Sequence, residues 1–285
     1  MRLSIIVPVY NMAADDKLAY CLNSLVNQTI SDYEIIAVDD CSTDNSLEIL
    51  RNYQKKFPDK IRVIASPVNK KQGGAKNLGL EVACGEWIGF IDSDDWVTED
   101  FYERLLTRAE ETGADMVGCD YHLTHKHSME IGTVVANNKA SQTGELEEEK
   151  YRSLILDSGS LVVKIYKRHI IMDYPNRFPE GIFYEDNAIS NSWMLRSKHF
   201  EYIPEPLYYY YQHGSSTVHT ITKERCEHRM EAARVMIKEA KQFDFFEKYY
   251  PEIESSFTTL IYVNTLFSYM AGVEKQEYRF VEALG

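Results

Sequence analysis

The sequence predicts an α/β fold built on a Rossmann-like, doubly wound and mostly parallel sheet, followed by a helical extension. Short apolar runs rich in valine and isoleucine alternate with segments whose apolar residues recur at helical spacing. The runs are nearly continuous rather than alternating in polarity, which is typical of strands buried on both faces. Because strand and helix alternate repeatedly in the first part of the chain, a parallel sheet with crossover helices is expected.

The elements of the first part, residues 1–119, can be assigned in order. The predicted strands are Leu3–Val9, Glu34–Val38, Ile61–Ala65, Trp87–Ile91 and Met116–Cys119. The predicted helices between them are Leu18–Gln28, Asn45–Phe57, Gly74–Ala83 and Glu99–Glu111.

The pattern changes after Cys119, where polar stretches separate shorter elements. In residues 120–220 we expect strands at Leu161–Tyr166 and Tyr202–Tyr211 and a helix at Glu185–Leu195. Residues 221–285 are predicted to be a helical extension. Its two helices are expected at Lys223–Phe246 and Glu252–Ala271.

Composition and charge narrow the class of protein. The formal net charge of -13 argues against a sequence-independent nucleic-acid-binding protein, which needs a basic surface. The five cysteines are scattered, and no pair has metal-ligand spacing, so we expect reduced thiols in a cytoplasmic protein. The apolar runs are too short to span a bilayer, so any membrane contact is expected to be peripheral, at the inner face.

Acidic residues follow two of the predicted strands at the point where each strand ends. Asp39-Asp40 follows the second strand, and Asp92-Ser93-Asp94-Asp95 follows the fourth. Ligands of open parallel sheets bind at the carboxyl ends of the strands, so these five carboxylates are expected to converge on one edge. Their mutual repulsion requires a cation or hydrogen-bond donors. Carboxylate oxygens suit Mg²⁺ or Mn²⁺, which predicts a metal site within the second group.

A glycine-containing segment, Gly73–Asn77, stands where the third helix begins. Its glycines allow close backbone approach, and Lys76 adds a positive charge for a phosphate group. It is not a P-loop, and the first strand-to-helix turn, Tyr10–Asp16, has no glycine. A dinucleotide-binding dehydrogenase is therefore not supported.

Four ordered blocks of the first hundred residues resemble the family 2 glycosyltransferases of the bacterial type, which have the GT-A fold. The blocks are Ser4–Asn11, Val38–Ser46, Gly73–Gly79 and Gly85–Asp95. The resemblance implies a nucleotide-sugar-binding half (1–119) and a catalytic-base half (120–220) with a smaller acceptor-side sheet. It also implies an inverting transfer from a nucleotide-diphosphate sugar, commonly a UDP-sugar, with Mn²⁺ or Mg²⁺.

The resemblance further assigns roles to individual residues. The donor would be held by residues from all four blocks, and Asp94 would bind the metal. The implied donor-binding residues are Pro8, Tyr10, Asp39, Asp40, Lys76 and Asp92. The family usually has arginine at the position of Lys76, and lysine lacks the planar fork that makes bidentate contacts.

The catalytic base is implied to be Asp186, the second residue of a Glu-Asp pair that begins a helix in the second half. The family often closes its catalytic half with tyrosine-rich strand residues and a basic loop over the diphosphate. Tyr208–Tyr211 and Gln212–Thr217 resemble these. Within and just after this loop, His213 and His219 are further candidates for the metal shell.

We therefore expect a glycosyltransferase of cell-surface polysaccharide or glycoconjugate synthesis, with a glycan, lipid-linked or protein-linked acceptor. Two other classes stay open, a sugar-phosphate nucleotidyltransferase and a non-catalytic nucleotide-sugar-binding module. The apolar stripe of the last predicted helix is expected to pack on another helix, to form a homodimer interface or to dock on membrane-bound machinery. Its residues are Leu260, Ile261, Val263, Leu266, Phe267 and Met270.

Overall fold

The structure, a computed structural model, describes residues 1–129, 132–212, 221–273 and 276–284. Within these ranges ten strands form one sheet. They are β1 Leu3–Val9, β2 Tyr33–Asp39, β3 Ile61–Ala65, β4 Trp87–Phe90, β5 Trp96–Val97, β6 Met116–Thr124, β7 Thr133–Val135, β8 Gly144–Glu145, β9 Lys164–Lys167 and β10 His199–Tyr211.

Helices cover the sheet and form the C-terminal region. They are α1 Lys17–Val26, α2 Ser46–Lys56, α3 Lys71–Val82, α4 Phe101–Thr112, α5 Glu148–Leu156, α6 Arg168–Met172, α7 Glu185–Arg196, α8 Lys223–Gln242, α9 Phe245–Lys248, α10 Tyr250–Ser256, α11 Asn264–Gly272 and α12 Tyr278–Leu284. A π-helical segment, Phe257–Val263, joins α10 to α11.

The strand order is β3-β2-β1-β4-β9-β6-β10-β5. The first four strands are parallel, and the apolar runs of β1 and β4 are fully buried, which confirms the doubly wound sheet predicted for the first half. β9 lies antiparallel between β4 and β6, and β6 pairs in parallel with β10. Within the described residues, the strands that were expected to form a smaller acceptor-side sheet instead extend the main sheet. β9 enters from the opposite direction and pairs with the backbone groups of β4 and β6 that would otherwise be unpaired.

β10 runs through two prolines without ending. Its register with β6 shifts between Ile203 and Pro206 and again between Pro206 and Tyr208. Proline has no N–H to donate to a ladder, so the strand accommodates it at an irregularity. The strand continues past both prolines to Tyr211, whose N–H donates to Asp95 Oδ1 at 2.8 Å.

The first of the C-terminal helices, α8, packs against α7. The guanidinium of Arg196 at the end of α7 lies 4.0 Å from the ring centroid of Tyr174 and 4.5 Å from that of Phe243. The same side chain is 3.8 Å from Glu239 of α8, and both partners are buried. On α11, Phe267 and Met270 are 69% and 47% exposed. Among the helices of the described residues, none is long and apolar enough to cross a membrane.

Candidate active site

A cavity of about 600 Å³ opens at the carboxyl ends of β1, β2 and β4, where α7 begins. This is the edge at which open parallel sheets bind their ligands. Seven of the residues predicted for the site line it. They are Pro8, Tyr10, Asp40, Lys76, Asp92, Asp94 and Asp186. His213 and His219 lie outside the described residues.

Of the five clustered carboxylates, Asp40, Asp92 and Asp94 line this cavity, whereas Asp39 and Asp95 are not among its lining residues. Asp39 is buried and accepts a hydrogen bond from the backbone N–H of Ser42 at 3.2 Å. Asp95 is also buried, and it accepts bonds from the Tyr208 hydroxyl at 2.5 Å and the Tyr211 N–H at 2.8 Å. In each Asp-Asp pair one residue, Asp40 or Asp94, lines the cavity, and the other, Asp39 or Asp95, accepts a hydrogen bond from neighbouring backbone.

Asp40 is held at the end of β2 beside the start of α3. Its Oδ1 accepts a hydrogen bond from the backbone N–H of Lys70 at 2.8 Å. Burial raises the pKa of this carboxyl, while the bond from Lys70 acts in the opposite direction. Among the described residues, no partner contacts the buried Oδ2 atom of Asp40. Tyr10, in the same cavity, is 45% exposed, so one part of the lining is an open aromatic ring.

Lys76 forms an ion pair that the sequence analysis did not identify. Its Nζ lies 2.7 Å from Glu185 Oε1, and the side chains are 2% and 4% exposed. Burial by itself would lower the pKa of Lys76, but the carboxylates of Glu185 and Asp92 raise it above its usual value. Lys76 is therefore a permanent cation on the cavity wall, and its charge is already paired with that of Glu185.

The glycines before Lys76 also have a structural role. A Cβ atom on Gly73 would lie 2.2 Å from the carbonyl oxygen of Pro179 and 3.2 Å from the Cβ of Glu185. The close backbone approach predicted for a phosphate is thus made, at Gly73, by the segment that leads into α7. Asn77 fixes the same segment, because its side chain bonds both the carbonyl oxygen and the N–H of Phe178.

Asp186 stands in the first turn of α7 and lines the cavity. The preceding Tyr184 has the left-handed backbone conformation, with φ 65° and ψ 32°, so the chain turns sharply before the helix begins. Burial raises the pKa of Asp186, and the neighbouring carboxylate of Glu185 raises it further. A carboxyl with a raised pKa that opens into a cavity has the properties of a general base or acid.

The described residues contain no group of three histidine, cysteine or acidic side chains arranged to hold a metal ion. Asp92 and Asp94 nonetheless line one wall of the cavity, and burial raises the pKa of Asp92 to about 7. Magnesium is commonly held by one or two carboxylates together with substrate phosphates. The donor set fits a divalent ion that arrives with a phosphate ligand, rather than one held by the protein alone.

Several lining residues had been given no individual role from the sequence. Among them are Lys71, Gln72, Phe183 and Tyr184, and the segment 160–163 that leads into β9. That segment reaches the site because β9 is antiparallel to β4, so its amino end lies at the carboxyl edge of β4. Strand direction is not encoded in a local apolar run. Phe183 and Tyr184 could have been identified, since they directly precede the Glu-Asp pair.

Known proteins with similar sequences are glycosyltransferases. The sequence model of Glycosyl transferase family 2 matches residues 4–174. The uncharacterized glycosyltransferase YibD of Escherichia coli is 31% identical over 219 residues, which are 75% of this chain and 62% of YibD. The poly(ribitol-phosphate) beta-glucosyltransferase of Bacillus spizizenii is 32% identical over 219 residues, which are 74% of this chain and 32% of that enzyme. The chain therefore spans less than two thirds of the length of these relatives.

The fold is similar to that of a solved enzyme. The crystal structure of residues 1–349 of Staphylococcus aureus TarS in complex with UDP-GlcNAc superimposes with a TM-score of 0.74 at 22% identity. The match covers 100% of this chain and 79% of the TarS chain. The family model covers more than half of the chain and includes the strand-end carboxylates and Lys76, and the chain therefore belongs to glycosyl transferase family 2.

Proposed function

We propose that this protein is an inverting glycosyltransferase that moves a sugar from a UDP-sugar to an acceptor hydroxyl in cell-surface polysaccharide or glycoconjugate synthesis. One observation carries the proposal: Asp186 lines the same cavity as Asp40, Asp92 and Asp94. A base and a donor-binding wall in one cavity are what direct displacement at a sugar carbon requires. The names of two relatives agree with it, since one is a glucosyltransferase and TarS was crystallised with UDP-GlcNAc.

In this mechanism Asp186 removes the proton of the acceptor hydroxyl. The acceptor oxygen forms a bond to the anomeric carbon from one face, while the bond from that carbon to the diphosphate oxygen breaks on the other. The nucleoside diphosphate leaves with the bonding electrons, and the sugar inverts its configuration. The raised pKa of Asp186 makes it a stronger base than an exposed aspartate.

The donor would be held by the opposite wall. The Asp40 Oδ2 atom would accept a hydrogen bond from the nucleobase, and the exposed ring of Tyr10 would stack on it. Asp94 would hold a Mn²⁺ or Mg²⁺ ion, with Asp92 beside it, and the ion would supply Lewis-acid neutralisation of the diphosphate. Lys76 would act mainly through Glu185, keeping the start of α7 beside the donor.

The acceptor is proposed to be a glycan, a lipid-linked or a protein-linked hydroxyl compound, met in the cytoplasm or at the inner membrane face. A homodimer through the C-terminal helices is proposed as well, since Phe267 and Met270 of the predicted apolar stripe are exposed. Size-exclusion chromatography with light scattering tests it. A mass that stays that of the monomer as concentration rises would remove the dimer from the proposal.

The enzyme proposal is tested by measuring nucleoside diphosphate release from a panel of nucleotide sugars, with Mn²⁺, with Mg²⁺ and with EDTA. Turnover of a UDP-sugar is expected, and it should fall in EDTA and in the variant Asp94→Asn. If no sugar nucleotide is turned over or bound, the enzyme proposal fails. Binding without turnover would favour a non-catalytic module, and formation of a nucleotide sugar from a sugar phosphate would favour a nucleotidyltransferase. Activity that is unchanged in EDTA would refute the metal role of Asp94.

A further inference from the structure

The helix that carries Asp186 is in contact with the first helix of the C-terminal region. α8 packs against α7, and Asp186 stands in the first turn of α7. Arg229 of α8 donates a hydrogen bond from one guanidinium nitrogen to the Tyr184 hydroxyl at 3.0 Å, and its guanidinium carbon lies 4.5 Å from the centroid of the Tyr184 ring. Tyr184 directly precedes α7. This contact is therefore made at the end of the helix where the proposed base is located.

A second charged contact between the same two helices lies at the carboxyl end of α7. A guanidinium nitrogen of Arg196, the last residue of α7, is 3.8 Å from Oε2 of Glu239 in α8, and the side chains are 1% and 4% exposed. Between the two ends, the side-chain amide of Asn191 donates to the sulfur of Met236 at 3.4 Å. The contacts follow the same order along both helices. α7 and α8 therefore run in the same direction and touch from one end of α7 to the other.

The opposite face of α7 packs against aromatic rings. The ring centroid of Trp193 lies 5.7 Å from that of Phe90, 5.0 Å from that of Phe178 and 5.4 Å from that of Tyr166. Apolar burial stabilises the helix but has no preferred direction. Hydrogen bonds and ion pairs do depend on direction and distance, so they restrict how far a helix can slide or rotate. The contacts with α8 supply such restriction at both ends of α7.

The ion pair at the carboxyl end of α7 is costly to bury. Among the described residues, no hydrogen-bond partner contacts the three guanidinium nitrogens of Arg196 or the Oε2 atom of Glu239. The guanidinium lies instead against the rings of Tyr174 and Phe243. Apolar side chains of similar size would pack at lower cost, and the best attested use of a buried charged pair is to fix the register of packed elements.

The backbone at the start of α7 needs support from its surroundings. Tyr184 has φ 65° and ψ 32°, a left-handed conformation that is disfavoured for a residue with a Cβ atom. Such conformations persist where neighbouring contacts hold them. Arg229 holds the Tyr184 side chain and also donates to Ser268 Oγ at 3.3 Å. Because Asp186 is only two positions further along, a change in the backbone of Tyr184 would displace Asp186.

We infer that α8 holds α7 in the position that places Asp186 in the cavity, with Arg229, Arg196 and Glu239 as positioning residues for the transfer reaction. This inference rests on the proposed glycosyl transfer and gives the C-terminal region a part in it. Arg196 is about 15 Å from Asp186 along the helix axis, so the ion pair acts through the helix and not on the reacting atoms. A misplacement of about 1 Å at the reacting groups can cost about 10²-fold in rate.

The test removes the ion pair at the carboxyl end of α7 without leaving a buried charge. Arg196→Met/Glu239→Gln removes both charges, and the glutamine keeps an oxygen for the bond that Asn176 donates to Glu239. The matched control, Arg234→Gln/Glu231→Gln, removes an exposed ion pair of the same helix. Release of nucleoside diphosphate from a UDP-sugar measures kcat and the donor KM, and thermal unfolding measures stability.

We expect kcat of Arg196→Met/Glu239→Gln to fall at least about tenfold, because the base is displaced. The donor KM should stay within about twofold, since the donor-binding wall is unchanged. Stability should remain close to that of the wild-type protein, because no buried charge is left unpaired. The control should match the wild-type protein in all three quantities.

Hydrogen exchange provides a measurement that does not depend on activity. In Arg196→Met/Glu239→Gln, the backbone amides of Ile189 and Ser190 in the first half of α7 should exchange faster than in the wild-type protein. A purely local role would raise exchange only around Arg196. At the other end, Arg229→Gln should also lower kcat, and Arg229→Lys should regain most of it, because lysine keeps a donor and a positive charge.

A stable Arg196→Met/Glu239→Gln protein with wild-type kcat would overturn the inference. Faster exchange in the first half of α7 without any change in kcat would overturn it as well, and so would a loss of kcat that merely follows a loss of folded protein. If the wild-type protein turns over no nucleotide sugar, the proposed function fails. The exchange comparison still decides in that case whether α8 fixes the start of α7.

Discussion

Lys76 Nζ of α3 and Glu185 Oε1 of α7 lie 2.7 Å apart, and both side chains are almost completely buried. This ion pair joins α3, in the first half of the chain, to the helix that carries Asp186. The residues are 109 positions apart in the chain, so the pair is a tertiary contact that fixes the two walls of the cavity relative to each other. Removing one partner leaves a buried, uncompensated charge.

A double-mutant cycle measures this coupling. We expect Lys76→Met to reduce the free energy of unfolding by about 3–5 kcal/mol, because Glu185 would be left buried without its cation. Lys76→Met/Glu185→Met should be much less destabilised than the sum of the single variants, since no charge remains unpaired. Urea unfolding followed by circular dichroism provides both values. The exposed pair Arg234 and Glu231 is the control, and additive effects at Lys76 and Glu185 would contradict the coupling.

The proposed role of Asp186 as the base is tested by Asp186→Asn, which keeps the size of the side chain and removes its ability to accept a proton. We expect kcat to fall by about 10²–10⁴ while the affinity for UDP stays within about twofold. Steady-state transfer assays and calorimetry with UDP measure the two quantities. Asp59→Asn, in the exposed turn between α2 and β3, is the control. Near-normal turnover of the Asp186 variant would exclude Asp186 as the base.

Gly73→Ala tests the close contact between α3 and the segment before α7. The added Cβ would meet the Pro179 carbonyl oxygen at 2.2 Å, so backbone must move on one side of the cavity. We expect a loss of about 1–3 kcal/mol in the free energy of unfolding. Thermal and urea unfolding measure it. Glu81→Ala, at an exposed position of the same helix, controls for the helix propensity of alanine. If Gly73→Ala were more stable than the wild-type protein, the segment around Pro179 would be able to move away from the added Cβ without cost, which would contradict the prediction.

Lys164 makes stability depend on pH in a defined direction. Lys164 is the first residue of β9 and is buried. Its Nζ donates hydrogen bonds to the carbonyl oxygens of Ser158 and Ser160 at 2.8 and 2.7 Å. Burial lowers the pKa of Lys164 from 10.5 to about 7. Between these values the unfolded chain binds a proton that the folded protein does not, so this residue makes stability rise as pH rises.

We therefore expect the wild-type protein to gain up to about 1.4 kcal/mol per pH unit relative to Lys164→Met between about pH 7.5 and 9. Below pH 7 the residue is protonated in both states, and its contribution stays constant. Lys164→Met lacks both hydrogen bonds of Lys164 at every pH, which lowers its stability by a constant amount. The slopes of stability against pH must therefore be compared, not the stabilities at one pH. Urea unfolding at several pH values measures the slopes. Parallel slopes for the two proteins would show that Lys164 stays charged when folded.

The local elements of the first half follow directly from the sequence. β1 and β3 have the predicted bounds, β2 is longer than predicted by one residue at each end, and β4 is shorter by one residue at its carboxyl end. Continuous apolar runs have few alternatives to a buried strand, and helical spacing identifies the crossovers. The same pattern placed Asp40, Asp92 and Asp94 at one edge, because parallel strands end together. The resemblance of four sequence blocks to a known family supplied Asp186, which no local pattern indicates.

What the sequence determined, then, was the parallel half of the sheet, the edge at which ligands bind and the residue types available there. Only the tertiary structure decided which carboxylates face the cavity and which, like Asp95, hold neighbouring backbone. It also decided that Lys76 pairs with Glu185 and that β9 runs antiparallel to β4. It further decided that α8 places Arg225 over the ring of Phe183 and Arg229 over that of Tyr184. The physical reason is one of range. Strand and helix patterns depend on neighbours within a few residues, whereas ion pairs and strand direction depend on contacts between segments far apart in the chain.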